Sequence, residues 1–448
     1  MKASEYNIIV SLGEGGNLVF NTLTHSLVLI DNEVKDILEK SEEISLPPEA
    51  QEELVKGGII IEDEINEKKI LKYNFERAKY DSETVTFTIV TTYACNLACP
   101  YCYVGKGEIL TEGMNKHTTD VVERFVQNET ERNRSKTMNI VLYGGEPLLN
   151  SKSCFKILNK LTPWARTHSI NLTTHIDTNG TLLTKNMIEK FSEHTIHVRI
   201  AFHGPKEVHD RIRVFKNGKG TYDMLMHALR LLTNADIPVS LCINVDKESI
   251  NKMDTLLDDL ETSGFSSIPI RFSFVSPVTN ICRHYSKSCV EEEERVTMMY
   301  ELWSRAEEKG FTTITPGYRG IFCAASARNH FIIDPLLDVY KCADLIGQRE
   351  HRAGVLNECG EFEPEFNWYN ILARDPLAIE GCTTCTLLPL CKGGCMNTGF
   401  IEQGVYHAAG CHDRESMIQS LKKNIEKKFG ESLRNAHRTS DSSLMTGE

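Results

Sequence analysis

The stretch Thr91-Thr92-Tyr93-Ala94-Cys95-Asn96-Leu97-Ala98-Cys99-Pro100-Tyr101-Cys102-Tyr103 follows Val85–Val90, an apolar β-rich run that reads as a buried strand. Three residues separate the first two cysteines and two separate the next pair. That spacing does not put the thiols on one helical face, and Pro100 interrupts the segment. It suits a loop wrapped around a metal cluster. Three thiolates hold three irons of a 4Fe–4S cube and leave the fourth iron open to another ligand. A structural zinc site closes with four ligands, and no fourth Cys or His stands near.

Working outward, the chain from Thr84 to about Glu308 alternates strand and helix. Strand-like runs are Val85–Val90, Met138–Leu142, Asn171–Ile176, His197–Phe202, Pro238–Val245 and Ile270–Val275. Helical patterns lie near 118–132, 152–167, 184–193, 222–234 and 249–262, with another after Val290. Six such repeats predict a parallel sheet with right-handed crossovers. The expected fold class is α/β, a partial (β/α)6 barrel over residues 84–310, with an open doubly wound sheet as the alternative. Either places reactive groups at the C-terminal ends of the strands.

Residues 1–75 read as a separate module. Short strands Tyr6–Val10, Leu18–Asn21 and Ser26–Ile30 surround a Gly-rich turn, and Asp31 can cap a helix over Glu33–Lys40. Pro47 and Pro48 open a second helix to Lys56, stopped by Gly57-Gly58; Ile59–Ile61 then precedes a charged linker. The pattern resembles a winged helix without a basic recognition helix. Residues 311–430 are dense in Gly and Cys with little periodicity, so they need metal or covalent staples. A closing helix is expected from Asp413 to about Phe429, and the polar tail 431–448 is expected to be disordered.

A net charge of −12 argues against a nucleic-acid binder. No signal-peptide core and no membrane-spanning run is present, so a cytoplasmic, non-membrane protein is expected. Fifteen cysteines in such a chain point to metal ligation rather than disulfides. Ten fall into two groups, at 95–102 and 323–411; Cys154, Cys242, Cys282, Cys289 and Cys359 are scattered, as buried small side chains or inert thiols are.

The cysteine loop resembles the radical SAM superfamily, whose signature is C-x3-C-x2-C after the first strand of a partial barrel. Gly144-Gly145-Glu146-Pro147 looks like the family's GGEP, whose glycines let backbone approach the amino group of S-adenosyl-L-methionine (SAM). Asp177-Thr178-Asn179-Gly180 stands where the family places ribose contacts. The resemblance implies a SAM-cleaving cluster on Cys95, Cys99 and Cys102. It implies SAM contacts from Tyr101, Gly144, Gly145, Glu146, Pro147, Asp177, Asn179 and Arg213. The fourth strand departs, with Ala201-Phe202-His203-Gly204-Pro205 where relatives often read S-L-D-G-P, although His209–Arg213 and Gly218-Lys219-Gly220 match the usual continuation. Ala201 lacks the hydroxyl that often touches SAM. His203 faces the substrate or is held by backbone; Arg213 holds a carboxylate or lies on the surface.

Cys323, Cys342, Cys382, Cys385, Cys391, Cys395 and Cys411 resemble the SPASM domain, which binds auxiliary 4Fe–4S clusters. By that resemblance Cys382, Cys385, Cys391 and Cys411 complete one cluster, and Cys323, Cys342 and Cys395 hold a second. Its missing ligand is Cys282, Cys289 or Cys359, or its iron is open. Leu337 replaces the motif's usual Gly, and a Leu there is expected to need φ below zero. A zinc ribbon is the alternative. The implied cofactors are SAM and three 4Fe–4S clusters.

Phe20-Asn21-Thr22-Leu23-Thr24-His25 and Leu54-Val55-Lys56-Gly57-Gly58 look like the leader-recognition part of maturases of ribosomally made peptides; a structural cap is the alternative. The expected function is thioether cross-linking of a precursor peptide that carries a leader. The expected electron donor is a flavodoxin or ferredoxin. Carbon–carbon cross-linking, epimerisation and formylglycine formation on sulfatases are the alternatives, with a zinc-stapled peptide-binding scaffold as the non-enzymatic one.

Overall fold

The computed structural model describes residues 1–13, 16–40, 44–105, 110–277, 279, 282–314, 323–411 and 414–426; the tail 431–448 lies outside them. The described residues form two compact units. One is Met1–Ala78 with the residues from Asp375 on, the other Lys79 onward to residue 314 with Cys323–Arg374.

The first unit holds β1 (Lys2–Ala3), β2 (Asn7–Ser11), β3 (Asn17–Asn21), β4 (Leu27–Ile30) and β5 (Ile60–Ile61). β2, β3 and β4 form an antiparallel sheet in that order, and β1 pairs with β5. Asp31 caps the helix Asn32–Lys40, accepting from Val34 N at 2.8 Å, as its position before the helix suggested. The charged stretch after Ile61 is not a linker but a helix, Glu67–Lys79. Leu71 and Phe75, four residues apart, are the apolar part of its buried stripe. So narrow an apolar face among charges hides the periodicity.

The two maturase-like motifs of this unit grip each other. Asn21 is fully buried, and its Nδ2 donates to Ser4 Oγ, Asn7 Oδ1 and Gly58 O at 2.9–3.0 Å. Its Oδ1 accepts from Leu23 N and Thr24 N, both at 2.9 Å. Thr24 Oγ1 donates to Gly57 O at 2.7 Å. A Cβ on Gly58 (φ +69°) would lie 2.6 Å from Thr24 Cγ2. Residues from the C-terminal part of this unit belong to the same core, with Leu390, Leu421 and Ile425 against Val10, Leu12, Leu18 and Phe20. Leu71 and Tyr6 likewise pack with Ile379 and Leu388.

The second unit is built on β6 (Thr84–Thr92), β7 (Thr137–Gly144), β8 (Asn171–Thr178), β9 (Ile196–Phe202), β10 (Val239–Val245) and β11 (Ile270–Phe274). They are parallel and neighbours in chain order, with helices between consecutive strands. A doubly wound sheet would reverse its strand order at a switch point, and this one does not. Alternate residues such as Phe87, Ile140, Ile176, Val198 and Leu241 enter one large core with helix residues such as Val122, Phe125, Ile157 and Leu229. The opposite face carries half-buried polar groups, among them His175, Asp177, His197, Arg199 and Cys242.

β12 (His330–Ile333) adds in parallel to β6, followed by antiparallel β13 (Asp338–Tyr340), β14 (Gly354–Leu356) and β15 (Phe362–Pro364). Among the described residues the sheet thus has ten strands. In the β12–β13 turn, Leu337 has φ +67°, which corrects the expectation of a negative value. The turn imposes it: Asp334 Oδ1 accepts from Leu336 N and Asp338 N at 2.8 and 2.9 Å, and Asp334 N donates to Asp338 O. The left-handed conformation costs a non-glycine residue about 1–2 kcal/mol. No described helix is long and apolar enough to cross a membrane.

Candidate functional site

The cysteine loop leaves the C-terminal end of β6 and is clamped by the turn that ends β7. Gly145 N and Glu146 N donate to Thr92 O and Ala94 O, both at 2.9 Å. A Cβ on Gly144 would lie 2.3 Å from Thr92 O, and one on Gly145 2.3 Å from Tyr93 O and 2.5 Å from Ala94 O. The two glycines therefore let the backbone just before Cys95 lie directly on the turn. Pro147 starts a short 3-10 turn, and its carbonyl accepts from the buried Cys154 thiol at 3.3 Å.

Glu146 is fully buried and links three pieces of chain. Its carboxylate accepts from Leu148 N at 3.0 Å, Thr178 Oγ1 at 2.8 Å and Asn179 N at 2.7 Å. Burial raises its pKa and the three donors oppose the rise. Asn179 carries the link on to the cysteine loop, since its Nδ2 donates to Asn96 Oδ1 at 2.8 Å and approaches Cys95 Sγ at 3.9 Å. Asn96 Nδ2 donates to Thr181 Oγ1 at 2.8 Å. Burial pushes the Cys95 thiol up to about 12, the Leu97 N–H opposing, with smaller upward contributions from Glu146, Cys99 and Cys102.

Tyr101 and Arg213 meet on the other side of the loop. Arg213 Nη1 donates to Tyr101 Oη at 2.9 Å, as does Asn244 Nδ2 at 3.4 Å. Arg213 is buried, not a surface residue, and its Nε has no partner among the described residues. Burial disfavours its charge, but Tyr101, Cys99 and Cys95 outweigh that and hold it protonated. The Tyr101 ring stacks on His203 with centroids 5.2 Å apart. His203 is fully buried, its Nε2 3.1 Å from Asp246 Oδ2, to which Tyr285 Oη also donates at 2.6 Å. His203 N donates to His209 Nδ1 at 3.2 Å, which places the His209 proton on Nε2 facing Thr221 Oγ1. Asp210 caps the next helix through Thr221 N and Tyr222 N. The His209-to-Gly220 motif is thus folded back on its own start, Thr221 Oγ1 donating to Arg213 O at 2.7 Å while the Arg213 side chain meets Tyr101.

Asp177 stands slightly apart. Its Oδ2 pairs with Arg199 Nη1 at 3.0 Å across the β8–β9 register, and burial raises its pKa. Asn96, Thr178, Arg199 and the pair Asp246–Tyr285 were not singled out from sequence. Asn96 falls on a wildcard position of the cysteine pattern, and Arg199 faces Asp177 only once the register is known.

Cys382, Cys385, Cys391, Cys395 and Cys411 lie in the first unit, whereas Cys323 and Cys342 lie in the second. Gly394 and Gly410 form a parallel bridge, with Gly410 N donating to Gly393 O at 2.9 Å, so Cys395 and Cys411 leave it as neighbours. Of the scattered cysteines, Cys282 donates to Thr279 O and Cys289 to Tyr285 O, both at 3.5 Å, and Cys359 is exposed on the β14–β15 turn.

Residues 89–260 match the model of the Radical SAM superfamily. Those residues are a radical SAM domain, and the chain that carries them is an enzyme. Relatives in sequence include the serine-type anaerobic sulfatase-maturating enzyme of Klebsiella aerogenes, 25% identical over 330 residues, 67% of this chain and 77% of that one. The mycofactocin maturase of Mycolicibacterium smegmatis is 24% identical over 337 residues, 70% and 79% of the two chains. Among solved structures, native anSMEcpe with bound AdoMet superposes with a TM-score of 0.61 at 18% identity, covering 79% of this chain and 99% of that one. Streptococcus suis SuiB bound to precursor peptide SuiA superposes at 0.56 with 15% identity, covering 93% and 99%. At these identities the likeness to solved structures is one of fold.

A radical SAM domain binds SAM and an iron–sulfur cluster, and the cysteine loop here fits that group. Three cysteine sulfurs sit on one loop, with a buried guanidinium as the charge that balances them. Among the described residues no three His, Cys, Asp or Glu side chains already enclose a single metal ion. The fit therefore rests on the donor set and its surroundings.

Proposed function

We propose that this radical SAM enzyme modifies a ribosomally made precursor peptide, joining a cysteine sulfur of that peptide to a carbon of another of its residues. The observation that carries the reading is the N-terminal sheet outside the matched domain, in which β4 is an edge strand. A leader peptide adds a strand to such an edge, and tethering raises the effective concentration of the segment to be modified. The likeness in fold to SuiB, which extends over 93% of the chain, supports the same reading.

In this proposal Cys95, Cys99 and Cys102 hold the SAM cluster, and the seven later cysteines hold two auxiliary clusters. When bound, these groups supply the 5′-deoxyadenosyl radical and an acceptor for the electron left on the substrate. For each cross-link one S–H and one C–H bond break and one S–C bond forms. The hydrogen atom leaves in 5′-deoxyadenosine, the thiol proton goes to solvent, and the electron goes to an auxiliary cluster. Glu146 and Asn179 fix the loop that presents the thiolates, Arg213 supplies the cation facing them, and Asp177 offers its second carboxylate oxygen to a ribose hydroxyl. The enzyme works in the cytoplasm with a low-potential donor such as flavodoxin or ferredoxin.

A second reading, oxidation of a Cys or Ser to formylglycine, is favoured by the sulfatase-maturating relatives. Mass spectrometry of a cysteine-containing precursor peptide, after anaerobic incubation with enzyme, SAM and reductant, tests both. Loss of two hydrogen masses per bond, with loss of a titratable thiol, is expected. An aldehyde captured by a hydrazine probe would replace the first reading with the second.

A further inference from the structure

The later cysteines of the first unit lie on a chain of tight turns. Cys385 N donates to Cys382 O and Leu388 N to Cys385 O, both at 3.0 Å, which leads into the short helix Leu388–Cys391. Gly394 N donates to Cys391 O at 3.0 Å, and the Gly394–Gly410 bridge ties the residue before Cys411 to the same knot. Single turns and so short a helix do not hold themselves together in water, and such segments order around a staple.

The N-terminal sheet is built against this knot. Cys382 and Cys385 share one small core with Tyr6, which precedes β2, and with Leu23, in the turn between β3 and β4. Leu390, next to Cys391, lies in the core of Val10, Leu12, Leu18 and Phe20. Thr22, fully buried just past β3, donates from Oγ1 to the carbonyl of Thr386, one residue past Cys385, while its N–H donates to Tyr6 O at 3.0 Å. Tyr6 is 2% exposed, and its Oη has no hydrogen-bond partner among the described residues. Burial pushes the phenol up to about 12, and the Glu5, Glu67 and Cys385 side chains add to the rise, which sets the hydroxyl in the field of the Cys385 sulfur. A buried hydroxyl without a partner is costly, and a group bound at the cysteines would supply one.

We propose that the cluster held by Cys382, Cys385, Cys391 and Cys411 orders the N-terminal sheet, and with it the β4 edge to which a leader peptide adds. A metal group bound by residues that share a core adds its binding free energy to the folding of that core. All four cysteines and the whole sheet belong to one compact unit. The turn between β3 and β4 carries the effect, since Thr22 ties its start to the Cys385 turn and β4 leaves its end. This rests on the reading that the later cysteines bind auxiliary clusters and that the sheet receives the leader, and it makes assembly of one cluster a precondition for substrate capture.

The test follows hydrogen exchange in the full-length protein, reconstituted anaerobically with iron and sulfide. The parent is compared with the same protein stripped of iron by a chelator and with two double variants. Cys391→Ala with Cys411→Ala removes two ligands whose side chains are not among the described residues of either core, so packing is spared. Cys323→Ala with Cys342→Ala is the control, since those cysteines lie in the other unit. Exchange at β2, β3 and β4 is expected to rise at least about tenfold in the stripped protein and in the first variant, and to stay at the parent rate in the control. Unchanged exchange in the stripped protein and the first variant would overturn the proposal while leaving the cluster reading in place. An equal rise in the control would also overturn it, because loss of any cluster would then suffice. Iron and sulfide that do not fall in the first variant would overturn the assignment of these cysteines to a cluster, and the inference with it.

Discussion

A methyl group on Gly145 has nowhere to go, because the Tyr93 and Ala94 carbonyls occupy its position. Gly145→Ala is therefore expected to push the cysteine loop off the β7 turn, and to cost SAM-cluster iron while sparing the rest. Iron analysis combined with the SAM-induced change in the electron paramagnetic resonance spectrum measures this. Arg213 is a buried cation whose neighbours are a phenol and thiols. Arg213→Met should weaken SAM binding by about 10- to 100-fold, the range for losing a hydrogen bond to a charged group; calorimetric titration gives the number. Asp334 is fully buried under Tyr93, whose Oη donates to Oδ2 at 2.7 Å. Burial pushes its pKa up to about 7, with the Tyr93 hydrogen bond opposing and Asp338 adding to the rise. The folded chain thus keeps a proton that the unfolded chain has lost, and stability falls as pH rises from about 4 to about 7. Asp334→Asn should flatten that slope in denaturant melts across the window; an unchanged slope would refute the assignment.

At the scale of elements, the strand–helix alternation was legible because the sheet buries one face against helices, so strands such as β8 and β9 alternate while the central β6 is a continuous buried run, and the helices show apolar stripes. The order of the six parallel strands was not legible, since the same alternation with right-handed crossovers fits a doubly wound sheet, whose order reverses. The helix Glu67–Lys79 was not legible, since its buried stripe is apolar only at Leu71 and Phe75 and charged at Glu67 and Lys79. The cysteine loop, the Gly-Gly turn and the Asn-Gly turn were legible as motifs. Their joint was not: Glu146 bridging to Asn179, and Asn179 to Asn96, depends on side chains that a spacing pattern leaves unspecified. The same holds for Asn21, whose five hydrogen bonds tie the strand end to residues 4, 7, 23, 24 and 58. Asn21→Ala should destabilise the N-terminal sheet by about 2–4 kcal/mol. Hydrogen exchange at β2, β3 and β4 reports it, and protection equal to wild type would show that the network is dispensable.

On the scale of the molecule, the first unit is made from both ends of the chain. One face of β2 and β3 is covered by Leu390, Leu421 and Ile425, while Val19 on the other packs within residues 1–60. Residues 1–78 expressed alone should therefore lack a cooperative melt and bind a hydrophobic dye, and adding residues 375–426 on a linker should restore the transition. A sharp melt of the short fragment would show the sheet to be self-sufficient. This shared core also fixes a timetable for synthesis. The residues that leave the ribosome first must wait for those that leave near the end before their core can close. A chain cut short during translation presents an unfinished sheet and so, on the proposed reading, cannot recruit a leader peptide. On that reading, substrate capture is reserved for molecules in which Leu421 and Ile425 have already been made.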